Sequence, residues 1–300
     1  MNAQKTPPAK RSLKDDVSGI ETTGHEWDGI RELNNPLPRW WLWSFYITIL
    51  WGVAYSIAYP AWPLINGATE GLLGYSTRGE VARDIAAFNQ SNAARDAELA
   101  DPDLVFDDSN QELYRYAVSS GGAVFRTNCS QCHGSGAAGA KGYPNLLDDD
   151  WLWGGSQTAI AYTVRHGIRN EVDADARYSQ MPAFGEFMQA AEIDALVEHV
   201  RSLSGAEFDA ALGAEGALLF ADNCASCHGD TGLGDRDQGA PNLADAIWLY
   251  GGDRDTLHET IAKARFGVMP AWGSRLSEAQ VQAVSTYVHQ LGGGEAPVAE

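Results

Sequence analysis

All four cysteines of this 300-residue chain lie in two five-residue strings, Cys129-Ser130-Gln131-Cys132-His133 and Cys224-Ala225-Ser226-Cys227-His228. No other feature limits the possible folds as much. C-x-x-C pairs serve zinc sites, redox disulfides and plain disulfide frameworks. Closed by histidine, the same spacing serves covalent attachment of c-type haem, with both thiols bonded to the haem vinyl groups and the imidazole bound to the iron.

The two strings sit in a longer repeat. Phe125 and Phe220 each stand four residues before the first cysteine, and Gly121 and Gly216 four before that. A glycine follows each histidine, and then comes Pro144-Asn145-Leu146 in one copy and Pro241-Asn242-Leu243 in the other. Farther on are Met181-Pro182-Ala183-Phe184-Gly185 and Met269-Pro270-Ala271-Trp272-Gly273. A repeat this long selects haem over zinc or disulfides. Cys129, Cys132, Cys224 and Cys227 are the expected attachment points of two covalently bound haem c groups, with His133 and His228 as proximal ligands.

Methionine decides the opposite axial ligand. The chain holds Met1, Met181, Met188 and Met269, and of these only Met181 and Met269 occupy matching loops. A lone methionine ordinarily fills core space. In paired loops stiffened by proline and glycine, the soft thioether is expected to face iron. His-Met ligation closes both axial positions, which suits electron transfer and leaves no place for a substrate. Each module using its own methionine is the default, and an exchange between the adjacent modules stays open. Met188 reads as packing. His25, His199, His258 and His289 read as solvated or packing residues, and His166, aligned with Phe266, has no partner in the repeat.

Residues Gln111 to Asn128 and Ala214 to Asn223 read as helices leading into the cysteines, and Ala190 to Leu203 and Ser277 to Leu291 as helices closing each copy. Ser277 and Gln280 have capping-box spacing. The pattern resembles the small all-α class of cytochrome c domains, twice over. That resemblance implies that the first and last helices of each module cross, Gly121 meeting the last helix and Gly216 its counterpart.

From Trp40 to Ala61 the chain is apolar and aromatic, and no charged residue stands between Arg39 and Glu70. About twenty apolar residues cross a bilayer as a helix, and the tryptophans and tyrosines at both ends suit its interfaces. Residues 1–39 are too long for the start of a cleaved signal peptide, so the span is expected to remain as an anchor. Lys5, Lys10, Arg11, Lys14, Arg31 and Arg39 precede it, whereas the first basic residue beyond it is Arg78. By the positive-inside rule the N-terminus is cytoplasmic and the modules lie outside, in a bacterium the periplasmic face of the inner membrane. Attachment of c-type haem after export agrees.

The expected organisation is all-α, a single N-terminal transmembrane helix followed by two tandem cytochrome c domains. Its parts are a cytoplasmic segment 1–39, a span 40–61, a periplasmic connection 62–110, domains 111–206 and 207–292, and a disordered tail 293–300. Within the connection, Glu80 to Leu99 reads as helix and Asp101 to Asn110 as linker. The formal net charge is −19, while residues 1–39 carry six basic and six acidic groups, so the excess lies beyond the span. Such a field repels nucleic acid and would steer a basic donor such as a soluble cytochrome c.

One further string narrows the family. The stretch Gly24-His25-Glu26-Trp27-Asp28-Gly29-Ile30-Arg31-Glu32-Leu33-Asn34-Asn35-Pro36-Leu37-Pro38-Arg39-Trp40-Trp41 resembles the segment leading into the span in the dihaem subunit of cbb3-type cytochrome c oxidases, and Gly71 to Arg78 is also similar. Some members have two spans, whereas this chain shows one. The resemblance implies that electrons from a soluble or membrane-bound donor cytochrome c enter one haem and pass to the other. They continue through a monohaem partner subunit to the catalytic subunit that reduces dioxygen. On its residues alone, the string reads as a Trp27-bearing approach lying along the membrane surface and gripping a partner's loops. The alternatives weighed are a dihaem electron-acceptor subunit of a periplasmic membrane-bound dehydrogenase, a free anchored shuttle, and a dihaem peroxidase, which would need an open haem position.

Overall fold

The computed structural model describes residues 14–101 and 110–296. Lys5, Lys10 and Arg11 of the basic set, residues 102–109 of the linker and residues 297–300 of the tail lie outside the described residues. The chain divides into two compact units, Met1–Phe88 and Asn89–Glu300.

In the first unit β1 (Thr22–Trp27) and β2 (Ile30–Leu33) form an antiparallel hairpin. Asp28 and Gly29 turn it with φ of 46° and 82°, the left-handed pair that a two-residue hairpin turn needs and that Asp-Gly tolerates best. This dipeptide was a readable hairpin signal that the sequence reading passes over. Next comes α1 (Arg39–Ala58), 20 residues with no buried side chain. Its serine and threonine hydroxyls bond to carbonyls of the preceding turn, Ser44 to Trp40 at 2.9 Å, Thr48 to Phe45 at 2.7 Å and Ser56 to Val53 at 3.0 Å. The helix can therefore enter lipid with these groups satisfied. It stops before the expected residue 61 because Pro60 drives Tyr59 into an extended conformation. A small hairpin follows, β3 (Pro63–Leu64) with β4 (Gly67–Ala68). The expected helix of the connection is α2 (Thr77–Leu99), which runs on into the second unit.

The second unit is helical: α3 (Gln111–Asn128), α4 (Ser130–His133), α5 (Gln157–His166), α6 (Ala190–Leu203), α7 (Ala210–Asn223), α8 (Ala225–His228), α9 (Arg254–Lys263) and α10 (Glu278–His289). Side-chain caps begin several of them. Asn110 accepts from Leu113 N at 3.2 Å, Asp209 accepts from Ala211 N at 2.9 Å, and Ser277 with Gln280 closes the expected capping box.

The two sequence copies do not close on themselves. α3 crosses α10, the last helix of the chain, while α7 crosses α6, which lies between the copies. Glycine marks each crossing. A Cβ on Gly121 would meet the Ala283 backbone and stand 2.9 Å from Tyr287 Cβ, and one on Gly216 would meet the Ala195 backbone and stand 2.9 Å from His199 Cβ. One core joins Phe125, Ile160, Val164, Val281, Val284 and Val288, and the other joins Phe184, Ile193, Leu196, Val200, Phe220 and Leu257. These contacts group the helices differently from their order along the chain. One module is α3, α4, α5 and α10, and the other, α6 to α9, is inserted within it. The first copy also carries a longer segment, Ile168–Gln180, where the second has only Val268 between glycine and methionine.

Matched positions join the closing helices to those after the P-N-L loops. Arg254 pairs with Glu198 at 2.6 Å in the inserted module, and Gln157 bonds to Thr286 in the other. Part of the tail expected to be disordered is instead fastened. Gly293 O accepts from Trp151 Nε1 at 2.7 Å, and Glu295 bonds to Gly155 N at 2.6 Å and Arg236 at 2.6 Å. A glycine-rich composition could not reveal partners more than a hundred residues away.

Candidate haem-binding sites

Each C-x-x-C-H string is built the same way. α3 and α7 end at Cys129 and Cys224, and one further helical turn, α4 or α8, brings the second thiol and the histidine round. Gly134 and Gly229 then reverse the chain with φ of 79° and 74°, a conformation that favours glycine. The returning loop is held by His133 O, which accepts from Gly139 N, and by His228 O, which accepts from Gly234 N, both at 2.8 Å.

That loop delivers the P-N-L motif to the histidine. His133 Nδ1 lies 3.0 Å from Pro144 O, and His228 Nδ1 lies 3.0 Å from Pro241 O. A carbonyl only accepts, so each Nδ1 carries the proton and each Nε2 keeps its lone pair for a metal. Asn145 and Asn242 turn the chain beyond by accepting from Leu147 N and Ala244 N at 3.0 and 2.9 Å. The sequence reading used P-N-L only as a mark of the repeat; its recurrence was the signal for this orienting role.

Electrostatics keep the donors neutral. Burial lowers the pKa of both histidines, outweighing the Pro144 and Pro241 carbonyls. Burial, helped by the neighbouring cysteine, pushes the Cys129 and Cys224 thiols up to about 11. Cys132 and Cys227 are exposed, and no cysteine is in a disulfide.

The methionines fall across the copies. Met269 packs against the core that holds Cys129, and its backbone exchanges hydrogen bonds with Ile168 at 2.9 and 3.0 Å. Met181 packs against the core that holds Cys224. Packing thus sets each methionine beside the cysteines of the other copy, the exchange that the sequence leaves open, just as α6 and α10 are exchanged. Met188 is packing, as expected. The other histidines have local partners: His25 stacks on Trp27 at 5.6 Å, His166 lies 3.1 Å from Asp173, His199 packs 5.0 Å from Phe220, His258 lies 3.6 Å from Asp194 and His289 bonds to Glu295 O at 2.8 Å.

These residues fit a covalently attached haem. The donor set of each site is two thiols on one turn, one imidazole open only at Nε2 and one thioether in the same core. Trp153 Nε1 and Arg177 Nε are buried donors without a protein partner. The Arg177 guanidinium lies over the Trp153 ring at 5.4 Å, so an anionic group would satisfy both, and haem carries two carboxylates.

Comparison with known proteins agrees with this chemistry. A family described as cytochrome c oxidase, cbb3-type, subunit III matches residues 117–200 and 211–288, and the N-terminal domain of cytochrome oxidase-cbb3, FixP, matches residues 19–66. Among similar chains, the cbb3-type cytochrome c oxidase subunit CcoP of Cereibacter sphaeroides is 62% identical over 276 residues, 91% of this chain and 95% of the relative. The subunit FixP of Sinorhizobium medicae is 50% identical over 286 residues, 95% of this chain and 99% of the relative. The CcoP subunit of Rhodobacter capsulatus is 52% identical over 287 residues, 92% and 97% of the two chains.

Proposed function

The chain belongs to the subunit III family of cbb3-type cytochrome c oxidases, and from that premise we propose how its residues carry electrons. It is a membrane-anchored electron-transfer subunit with two covalently bound haem c groups, and it works alongside the other subunits of the oxidase. Haem iron supplies one-electron chemistry by passing between its ferrous and ferric states. Cys129 and Cys132 tether one haem, and Cys224 and Cys227 the other. His133 and His228 would each offer Nε2 to the iron. Met269 would offer its thioether beside His133, and Met181 beside His228. Held this way, the haems would relay electrons and leave dioxygen to the catalytic subunit.

The observation that carries this reading is the duplicated 3.0 Å contact between His Nδ1 and the proline carbonyl. It presents each imidazole in the tautomer and orientation an iron needs. We place the modules on the periplasmic face, because the described basic residues before the apolar run that starts at Trp40 include Lys14, Arg31 and Arg39, and the next in sequence is Arg78. The acidic excess beyond the span favours a basic donor cytochrome c and disfavours nucleic acid. The monohaem subunit is the next carrier toward the catalytic subunit.

The test is purification of the tagged chain from membranes in mild detergent, with a reduced-minus-oxidised spectrum and dioxygen uptake from a reduced donor. The expected result is c-type and b-type haem together with uptake. A preparation holding c-type haem alone, under conditions that keep complexes intact, would instead favour a dehydrogenase subunit or an anchored shuttle.

A further inference from the structure

We propose that residues Ala61 to Leu73 form a second membrane contact, a hairpin collar seated in the headgroup region of the outer leaflet beside the end of α1. The proposal rests on α1 crossing the bilayer. A 20-residue helix is about 30 Å long, the thickness of the hydrocarbon core. Its last carbonyls therefore mark the edge of that core. Leu72 N donates to Ile57 O at 2.9 Å and Leu73 N to Ala58 O at 3.0 Å, so both leucines are tied to the helix end itself. Gly71, at φ +75°, makes the approach possible, since a Cβ there would lie 2.6 Å from the Tyr59 carbonyl carbon. Tyr59 and Tyr75 meet edge to face at 5.3 Å beside it.

The side chains presented at this height are apolar and uncovered. Trp62 and Leu64 are each 61% exposed, Ile65 102%, Leu72 84% and Leu73 64%. Five large apolar residues bared together on one short segment are uncommon on a face turned to water. No charge interrupts the run until Glu70. The backbone is prepared for a poorly hydrated place. Thr69 N donates to Trp62 O at 2.9 Å, and Thr69 Oγ1 accepts from Ala61 N and Trp62 N at 3.3 and 3.1 Å. Asn66 at the turn and Trp62 beside it suit the interface better than the hydrocarbon centre. The occupant is lipid, because the segment continues a lipid-crossing helix at the level where that helix leaves the membrane.

The test labels Ile65→Cys with a nitroxide in the full chain within its complex, reconstituted in phosphatidylethanolamine and phosphatidylglycerol vesicles. In the haem-loaded chain the four native cysteines are thioethers, so the introduced thiol would be this chain's one reactive thiol, and the complex without the Ile65→Cys substitution, labelled alike, gives the background from other subunits. Oxygen, which concentrates in lipid, is expected to relax the label several-fold more than a water-soluble nickel chelate does. Stronger relaxation by the chelate would overturn the proposal in favour of a hydrated hairpin, and shielding from both reagents would overturn it in favour of a protein partner. Alkaline extraction of the same vesicles checks the premise separately. A chain released into the supernatant would remove the span itself, whereas a retained chain with a water-exposed label removes only the collar.

Discussion

Replacing Gly216 by alanine tests the exchanged helix pairing through one methyl group. The new Cβ would lie 2.6 Å from the Ala195 carbonyl carbon and 2.9 Å from His199 Cβ, where ordinary contact begins at 3.4 Å. A backbone carbonyl inside a helix cannot rotate away, so α6 and α7 must part by about 1 Å, enough to forfeit a quarter to a half of each affected dispersion contact. Overpacking of this kind costs roughly 1–3 kcal/mol, and exchanging glycine for alanine within a helix returns up to about 1 kcal/mol. The net loss is about 2 kcal/mol for the upper part of that range. In a module of roughly 60–100 residues, each kcal/mol lowers the midpoint by about 4–8 °C. The inserted module should therefore unfold about 8–16 °C earlier than in the parent chain. The assay follows the ferric charge-transfer band of methionine-ligated haem during heating, in a Met269→Leu background where the remaining band belongs to the haem on Cys224 and Cys227. Gly136→Ala, which meets nothing within 4 Å, serves as the control. A midpoint unmoved by Gly216→Ala, or a loss matched by the control, would refute the packing argument.

Three other outcomes are expected. In a chain restricted to the first haem by Cys224→Ala and Cys227→Ala, Met269→Leu should abolish the sulfur–iron band and Met181→Leu should leave it; the opposite pattern would restore own-copy ligation. Glu198 is held below its ordinary value of 4.5 chiefly by the Arg254 hydrogen bond, so its contribution is full above that value and is lost as pH falls through the depressed folded pKa. Acid titration of the inserted module's thermal midpoint should accordingly show a fall that Glu198→Gln removes, and equal acid sensitivity in both chains would count against the ion pair. Electron entry from a basic donor cytochrome should slow as ionic strength rises and the screening length shrinks to about 10 Å at 0.1 M, whereas a rate flat in salt would exclude steering by the acidic surface.

Much of the chain could be read without coordinates because its signals are local. The helix Gln111–Asn128 has the predicted bounds, since amphipathic spacing and the cysteine turn both act within a few residues. The capping box at Ser277, the span ending at the Pro60 break and the two attachment strings follow from neighbours in sequence. Asp28-Gly29 is an equally local signal for the hairpin turn. The helices Gln157–His166 and Arg254–Lys263 also carry a local start signal, the capping side chains of Ser156 and Asp253.

Haem chemistry, the anchor and the repeated helical pattern rest on residue spacing, which no distant contact can alter. That Met269 joins the core of Cys129 and Met181 that of Cys224, that Gly121 receives the last helix, and that Glu295 fastens the tail emerges only once the helices pack. Two copies of one motif pattern offer each closing helix two similar docking faces. Periodicity cannot choose between them. The choice shows only in the packing itself, where Gly121 lies against Ala283 and Gly216 against Ala195.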